Sequence, residues 1–190
     1  MKIAETSIAE YLNNVAAKRS TPGGGAVAAI AAAEGLALMG MVTSFTHKPN
    51  ALPDDLPDRI DQSCDTLLQL ADADAVAFDA VMAALRGKGD LAAASITAAR
   101  VPLKVINIIL DSLDDLEQLA QDGNPNLITD TGIAASLLAS ALDASELNIL
   151  INIRELEEAH SAEFTVQLAR LPVAKLRLST VHQQVRNSLS

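Results

Sequence analysis

A chain of 190 residues with a formal net charge of −10, 49% hydrophobic residues and 2% aromatics excludes several classes of protein at once. The acidic balance argues against generic nucleic-acid binding, which needs a basic surface. The lone Cys64 excludes an intramolecular disulfide or a cysteine zinc cluster. Tryptophan is absent, so the core must be filled by Ala, Leu, Ile and Val, which suits closely packed helices. The N-terminus, MKIAETSIAEYLNN, lacks the charged-then-apolar layout of a signal peptide, and the expectation is a soluble cytoplasmic protein.

Helical period runs through nearly every segment and no convincing strand alternation is present. The expected fold is all-α: one domain, residues 1–190, folded as a multi-helix bundle with long, partly kinked helices. A first helix spans about Ser7 to Lys18, with Ser7 as N-cap and Ile8, Leu12 and Val15 on one face. Gly23, Gly24 and Gly25 then open a second helix of small residues that reaches about Thr46. Its length suggests a membrane span, but Glu34 near the centre would cost about 2.5–3.5 kcal/mol at mid-bilayer, so a buried soluble helix is the better reading. The glycines lack the lysine and hydroxyl of a phosphate loop and follow a helix rather than a strand, which removes the dinucleotide fingerprint. Two readings of them remain level: a helix-initiating turn, or a close-approach surface with unpaired amides for a ligand.

Residues His47 to Pro57 read as a loop, and a third helix begins near Asp54–Asp58 and runs to Arg86. Within it, Asp72 and Asp79 lie nearly on one face, with Asp74 to the side. A solvated acidic stripe is the ordinary reading. Their Ala, Val and Phe78 neighbours also allow a partly buried carboxylate with a raised pKa, suited to proton transfer. A short flexible turn, Arg86-Gly-Lys-Gly-Asp90, precedes a helix from about Leu91 to Gln121, which Pro102 should kink or split. A loop at Asp122 to Asp130 contains Asn124 and Asn126, which either shape the turn or hold a ligand. Helices then follow at Thr131 to Ala141 and Ala144 to Leu168, with Asn148 and Asn152 four apart on one apolar face. Such amides need partners if buried, either another helix or a polar heterocycle. A last helix starts at Pro172 and carries Lys175, Arg177 and Arg186. His47, His160 and His182 do not fall at metal-ligand spacing, and neither a metal site nor a bound cofactor is expected.

Five motifs in order resemble the cyclodeaminase domain of formimidoyltransferase-cyclodeaminase. They also resemble its free-standing bacterial relatives, the methenyltetrahydrofolate cyclohydrolases of the serine cycle. They are Thr21-Pro-Gly-Gly-Gly25, Asp72-Ala-Asp-Ala-Val-Ala-Phe78, Val101-Pro-Leu103, Gly123-Asn-Pro-Asn126 with Thr129-Asp-Thr-Gly-Ile-Ala-Ala135, and Asn148-Ile-Leu-Ile-Asn152. The resemblance covers about Ser7 to Glu158. It implies an all-helical subunit that pairs into a homodimer and holds a tetrahydrofolate derivative as substrate near the helix ends and the subunit interface. It also implies hydrolysis of 5,10-methenyltetrahydrofolate to 10-formyltetrahydrofolate, or cyclisation of 5-formimidoyltetrahydrofolate with loss of ammonia. The second ranks lower here for want of a transferase segment. A divergent, non-catalytic helical module is the reading from another class.

On this resemblance the carboxylates to test are Asp130, Asp72 and Asp74, as base or proton relay. Asn124, Asn126, Asn148 and Asn152 hold the pterin or a water, and Pro22, Gly23, Gly24 and Gly25 form a wall. Relatives carry a lysine-rich stretch and a tyrosine where this chain has Thr46-His-Lys-Pro, and Leu-Pro-Lys where it has Arg86-Gly-Lys-Gly. The cations left to meet the substrate's glutamate tail are Lys48, Lys88, Arg100 and Lys104.

Overall fold

The computed structural model describes residues 2–47 and 52–190, so Lys48 lies outside the described residues. A 3-10 turn (Ile3–Glu5) leads to α1 (Ile8–Ala16), α2 (Gly24–Ser44), α3 (Leu56–Leu85), α4 (Leu91–Asp111) and α5 (Leu113–Asp122). A second 3-10 turn (Pro125–Leu127) precedes α6 (Ile128–Ile153), α7 (Glu158–Leu168) and α8 (Leu171–Ser188). No strand occurs among the described residues, in keeping with the all-α expectation.

Helix α2 is the axis of the bundle. It packs along α3 on one side and α6 on another, while α4 closes against both of those and α8 lies on α6. Small residues make this possible: Ala26, Ala28, Ala29 and Ala32 are buried along α2, followed by Leu36, Met39 and Val42. Gly35 marks a close approach of α2 to α6, since a Cβ there would lie 3.0 Å from Leu138 and 3.3 Å from the Ala134 carbonyl oxygen. Phe164 supplies a large fully buried aromatic from α7. By length and composition alone, Gly24–Ser44, Leu91–Asp122 and Pro125–Ile153 could each cross a membrane. In this fold, however, the apolar sides of α2 are taken up by α3 and α6.

Two helix breaks fall away from their expected places. Pro102 is buried inside α4, and the chain instead breaks at Ser112. There the hydroxyl donates to the Ile109 carbonyl, while the Ser112 amide is shared among the carbonyls of Ile108, Ile109 and Leu110, tightening and ending the helix. Asp115 in the first turn of α5 then takes a two-pronged bond from Arg59 of α3, at 2.7 and 3.1 Å, which fixes the new direction. Nor do the two helices expected at 131–141 and 144–168 divide there. Leu142 and Ser145 are fully buried, so one face runs through the join, and Asp143 points out to Lys175 at 2.6 Å. The break comes at residues 154–157, leaving α6 as one rod and α7 as a separate helix.

Because Leu138 is fully buried and cannot swing away, replacing Gly35 by valine should force α2 and α6 apart. The expected loss of stability is about 1–3 kcal/mol, read as a lower denaturant midpoint with an unchanged helical circular-dichroism spectrum.

Candidate functional site

The site begins with a missing cap. Gly23 stands at the N-cap of α2 and offers no side chain to the first-turn amides, which have no partner within the helix. Asp74 of α3 fills the gap, its Oδ2 accepting from the Ala26 amide at 3.2 Å. Gly25 is what permits this, because a Cβ at that position would fall on the Asp74 carboxylate. Among the described residues the amides of Gly24 and Gly25 are left without a side-chain acceptor, beside a cavity of about 680 Å3, within the range of small-molecule sites.

Four elements line that cavity. The turn before α2 contributes Ser20, Thr21 and Gly23 to Gly25, and α3 contributes Asp74, Phe78, Val81, Met82 and Leu85. Helix α4 adds Leu91, Ala92, Ser95 and Ala98, while the end of α6 and its following turn add Asn148, Ile151, Asn152, Glu155 and Leu156. The walls are thus mainly apolar, with a few polar groups converging from one side. The spacing of Phe78, Val81, Met82 and Leu85 along α3 places them on one stripe. Phe78 and Leu85 remain 36% and 60% exposed because they face this space rather than the core.

The two asparagines present oxygens. Asn148 Nδ2 donates to the Ala144 carbonyl at 2.8 Å and Asn152 Nδ2 to the Asn148 carbonyl at 2.7 Å. Each amide nitrogen is thereby tied to its own helix. Among the described residues no donor reaches either Oδ1, so two acceptors are free for a ligand's N–H groups. Asn148 sits against Gly24, with both ends of its amide just under 4 Å from where a Cβ would be.

Asp74 is electrostatically unusual. Burial pushes its carboxyl above the ordinary carboxylate range, and the hydrogen bond from the Ala26 amide pulls it only part of the way back. A carboxyl held higher than normal, beside an apolar cavity and touching a helix N-terminus, is suited to accept and return a proton.

The structure divides the expected site residues into two groups. Gly23, Gly24, Gly25, Asp74, Asn148 and Asn152 meet at this cavity. Asp72 does not: its Oδ1 accepts from the Ile3 amide at 2.9 Å, and it lines a separate hollow of about 540 Å3 with Pro22, Lys18 and Arg19. Pro22 is buried there, after a cis Thr21–Pro22 peptide. Asn124 and Asn126 lie at the far end of α2. The Asn124 amide side chain donates to the Phe45 carbonyl at 2.9 Å, and its Oδ1 accepts from the Asn126 amide at 3.0 Å. Asp130, in the first turn of α6, is 18 residues from Asn148 in the same helix, or about 27 Å at 1.5 Å per residue. Asp130, Asn124 and Asn126 are therefore not brought to the cavity of this chain. The local sequence could not tell which end of each rod a residue would share with which neighbour.

Ser95 was not singled out from the sequence. It is 8% exposed, lines the cavity, and makes no hydrogen bond among the described residues. A serine inside an alanine run gives no local signal; only the packing of α4 against α3 and α6 exposes it to this space. Three or more His, Cys, Asp or Glu side chains do not gather at a metal-binding spacing among the described residues.

Comparison with known proteins accords with this geometry. The family profile of Formiminotransferase-cyclodeaminase matches residues 7–170. The chain is 33% identical over 174 residues to the methenyltetrahydrofolate cyclohydrolase of Methylorubrum extorquens, covering 83% of this chain and 84% of that protein. It is 30% identical over 178 residues to the formimidoyltransferase-cyclodeaminase of Mus musculus, covering 82% of this chain but 32% of that longer protein. The crystal structure of formiminotetrahydrofolate cyclodeaminase from Thermotoga maritima superposes with a TM-score of 0.81 at 31% identity, covering 97% of this chain and 96% of that one. The relatives are folate-processing enzymes, and within that class this chain belongs to the formiminotransferase-cyclodeaminase family.

The raised Asp74 pKa fixes a stability signature. The folded state holds its proton more tightly than the unfolded chain, so stability falls as pH rises from the ordinary carboxylate range through the folded pKa, and stays lower above it. Asp74→Asn removes that penalty and keeps an acceptor oxygen for the Ala26 amide. The melting temperature of the variant relative to the parent should therefore climb as pH is raised from acid to neutral. A difference that is flat with pH would contradict an elevated Asp74 pKa.

Proposed function

We propose that this protein is a folate-processing hydrolase that converts 5,10-methenyltetrahydrofolate to 10-formyltetrahydrofolate. The observation that carries the reading is the partly buried Asp74 carboxyl held at the head of α2, opposite the free oxygens of Asn148 and Asn152 in one cavity. Kinship supports it, since the Methylorubrum extorquens relative bears that activity in its name and aligns over most of both chains.

In this reading the pterin lies between the α3 stripe and the end of α6. Its ring N–H groups donate to the asparagine oxygens. A water adds to the electron-poor carbon that bridges N5 and N10, losing one proton to Asp74 as the C–O bond forms. The tetrahedral carbon then collapses, the C–N5 bond breaks with its electron pair going to N5, and Asp74 returns a proton to that nitrogen. The remaining hydroxyl proton leaves to solvent as the formyl C=O forms. One water is consumed and one proton is released overall. Apolar walls keep stray water out and strengthen the charge interactions inside.

A second reading has its own support. The Thermotoga maritima structure is of a cyclodeaminase, and cyclisation of 5-formimidoyltetrahydrofolate also passes through a tetrahedral carbon between two nitrogens. The same carboxyl would deliver a proton to the departing ammonia. Loss of the near-ultraviolet absorbance of methenyltetrahydrofolate, measured beside ammonia release from the formimidoyl substrate, separates the two. If purified protein accelerates neither over buffer, both readings fail. Asp74→Asn should lower kcat by about 10²–10⁴-fold, whereas Asp130→Asn should leave it within a few-fold. The reverse ranking would move the chemistry to the opposite end of α6.

The reading includes a homodimer. Leu147, Leu150 and Ile151 form an exposed apolar stripe on α6, at 68%, 44% and 63% exposure, and a second copy of the chain is its proposed cover. Light scattering on a sizing column should give twice the chain mass for the parent and a shift toward one chain mass for Leu147→Glu. A monomeric parent would remove this part of the proposal.

A further inference from the structure

A hydroxyl inside a helix has a ready partner, the carbonyl one turn back. Several in this bundle use it: Thr43 donates to Met39, Ser44 to Gly40, Thr66 to Gln62, Ser140 to Ser136 and Thr180 to Leu176. On α4 itself, Thr97 donates to the Ala93 carbonyl at 2.9 Å. Ser95, two residues earlier and 8% exposed, makes no such bond, and no other group bonds its hydroxyl among the described residues. Thr131 and Ser145 of α6 also lack partners, but their oxygens are sealed by the packing around them. The Ser95 oxygen is not sealed and opens on the main cavity.

Helix α4 faces that cavity with Leu91, Ala92, Ser95 and Ala98, positions whose spacing puts them on one side of a helix. The other three are apolar, so Ser95 is the polar group that α4 brings to this space. Because α4 packs against both α3 and α6, its hydroxyl lies on the wall that joins the helix of Asp74 to the helix of the asparagines. The polar side chains supplied by those two helices present oxygens. Asn148 and Asn152 do so because each Nδ2 is bonded to its own helix, and Asp74 does so as a carboxyl. A serine hydroxyl adds a proton to donate. Kept unpartnered in a buried place, it costs stability. Alanine, which stands at positions 92 to 94 just before it, would fill the same place without that cost.

We infer that Ser95 is a substrate-contact residue whose hydroxyl donates to the ring carbonyl oxygen of the pterin. The inference rests on the folate reading above, in which the ring N–H groups meet the oxygens of Asn148 and Asn152. In a pterin the ring carbonyl stands beside the ring N–H, so the two leave the ring on the same edge. A ring that sets its N–H against α6 turns its carbonyl toward a wall adjoining α6, and α4 is the adjoining helix that carries a donor there. The contact is to the ring and not to the one-carbon unit. It therefore holds substrate, tetrahedral intermediate and product alike, and it governs binding instead of the chemical step.

Tetrahydrofolate has the same ring carbonyl and serves as the calorimetric probe, while initial rates with 5,10-methenyltetrahydrofolate give KM and kcat. Ser95→Ala should raise both the Kd for tetrahydrofolate and the KM by about tenfold, with kcat within a few-fold of the parent. Its melting temperature without ligand should equal or exceed the parent's, because the change removes an unpartnered hydroxyl and introduces a stronger helix former. Thr97→Ala takes a hydroxyl from the exposed side of the same helix and should leave Kd and KM as they are. The ring contact is overturned if Ser95→Ala binds as tightly as the parent, or if its weaker binding comes with a lower melting temperature. It is equally overturned if kcat falls while KM holds, or if Thr97→Ala weakens binding to the same extent. Each of those results, obtained with a parent that binds tetrahydrofolate, leaves the folate reading standing. A parent that neither binds tetrahydrofolate nor turns over 5,10-methenyltetrahydrofolate removes the folate reading and the ring contact with it.

Discussion

The hydrogen bond from the Ala26 amide to Asp74 is the contact on which the rest of the site depends. It joins α2 to α3 at their functional ends and stands in for the cap that Gly23 cannot supply. It also draws a carboxylate out of solvent to the lip of a cavity. The same interaction thus serves the fold and positions the carboxyl proposed to move protons. Its geometry tolerates no side chain at Gly25, so one glycine is required for packing rather than for an unusual backbone angle.

Around that contact, the bundle resolves a conflict between close packing and reactivity. Small residues along α2 let α3 and α6 approach, which would bury any polar group at the helix ends. The structure avoids unpaired burial there by using the asparagine nitrogens on their own helix and turning their oxygens to the cavity. Burial of Asp74 is incomplete and raises its pKa, and the hydrogen bond from the Ala26 amide offsets part of that rise. A fully buried, unpaired carboxylate would simply stay protonated. A fully solvated one would titrate in the ordinary carboxylate range.

The opposite end of the same helices is built differently. There the Asn124 loop is closed by bonds to Phe45 and Thr46, and its polar groups shape the chain. Asp130 belongs to that end. The two ends therefore differ: one presents free acceptors, and at the other the Asn124 side chain is taken up by its own loop.

Much of this was legible in the residues. Helical period, the scarcity of aromatics and the run of small residues settled an all-α bundle around α2, because burial pattern and residue volume are local properties of the chain. The glycine triplet, Asp74 and the Asn148/Asn152 pair stood out for the same reason: each is a polar or conformationally permissive residue in an apolar setting. Tertiary structure alone decided which of them meet. A helix separates chemically similar residues by 1.5 Å per position, so Asp130 and Asn148 share α6 yet lie at opposite ends, while Asp74 and Gly25 come from distant sequence into contact. Ser95 gained meaning only when α3, α4 and α6 enclosed a common space. Composition determines that helices form and pack; the ends they bring together depend on where each rod stops, and those stops rest on contacts such as Arg59 with Asp115 that no single segment contains.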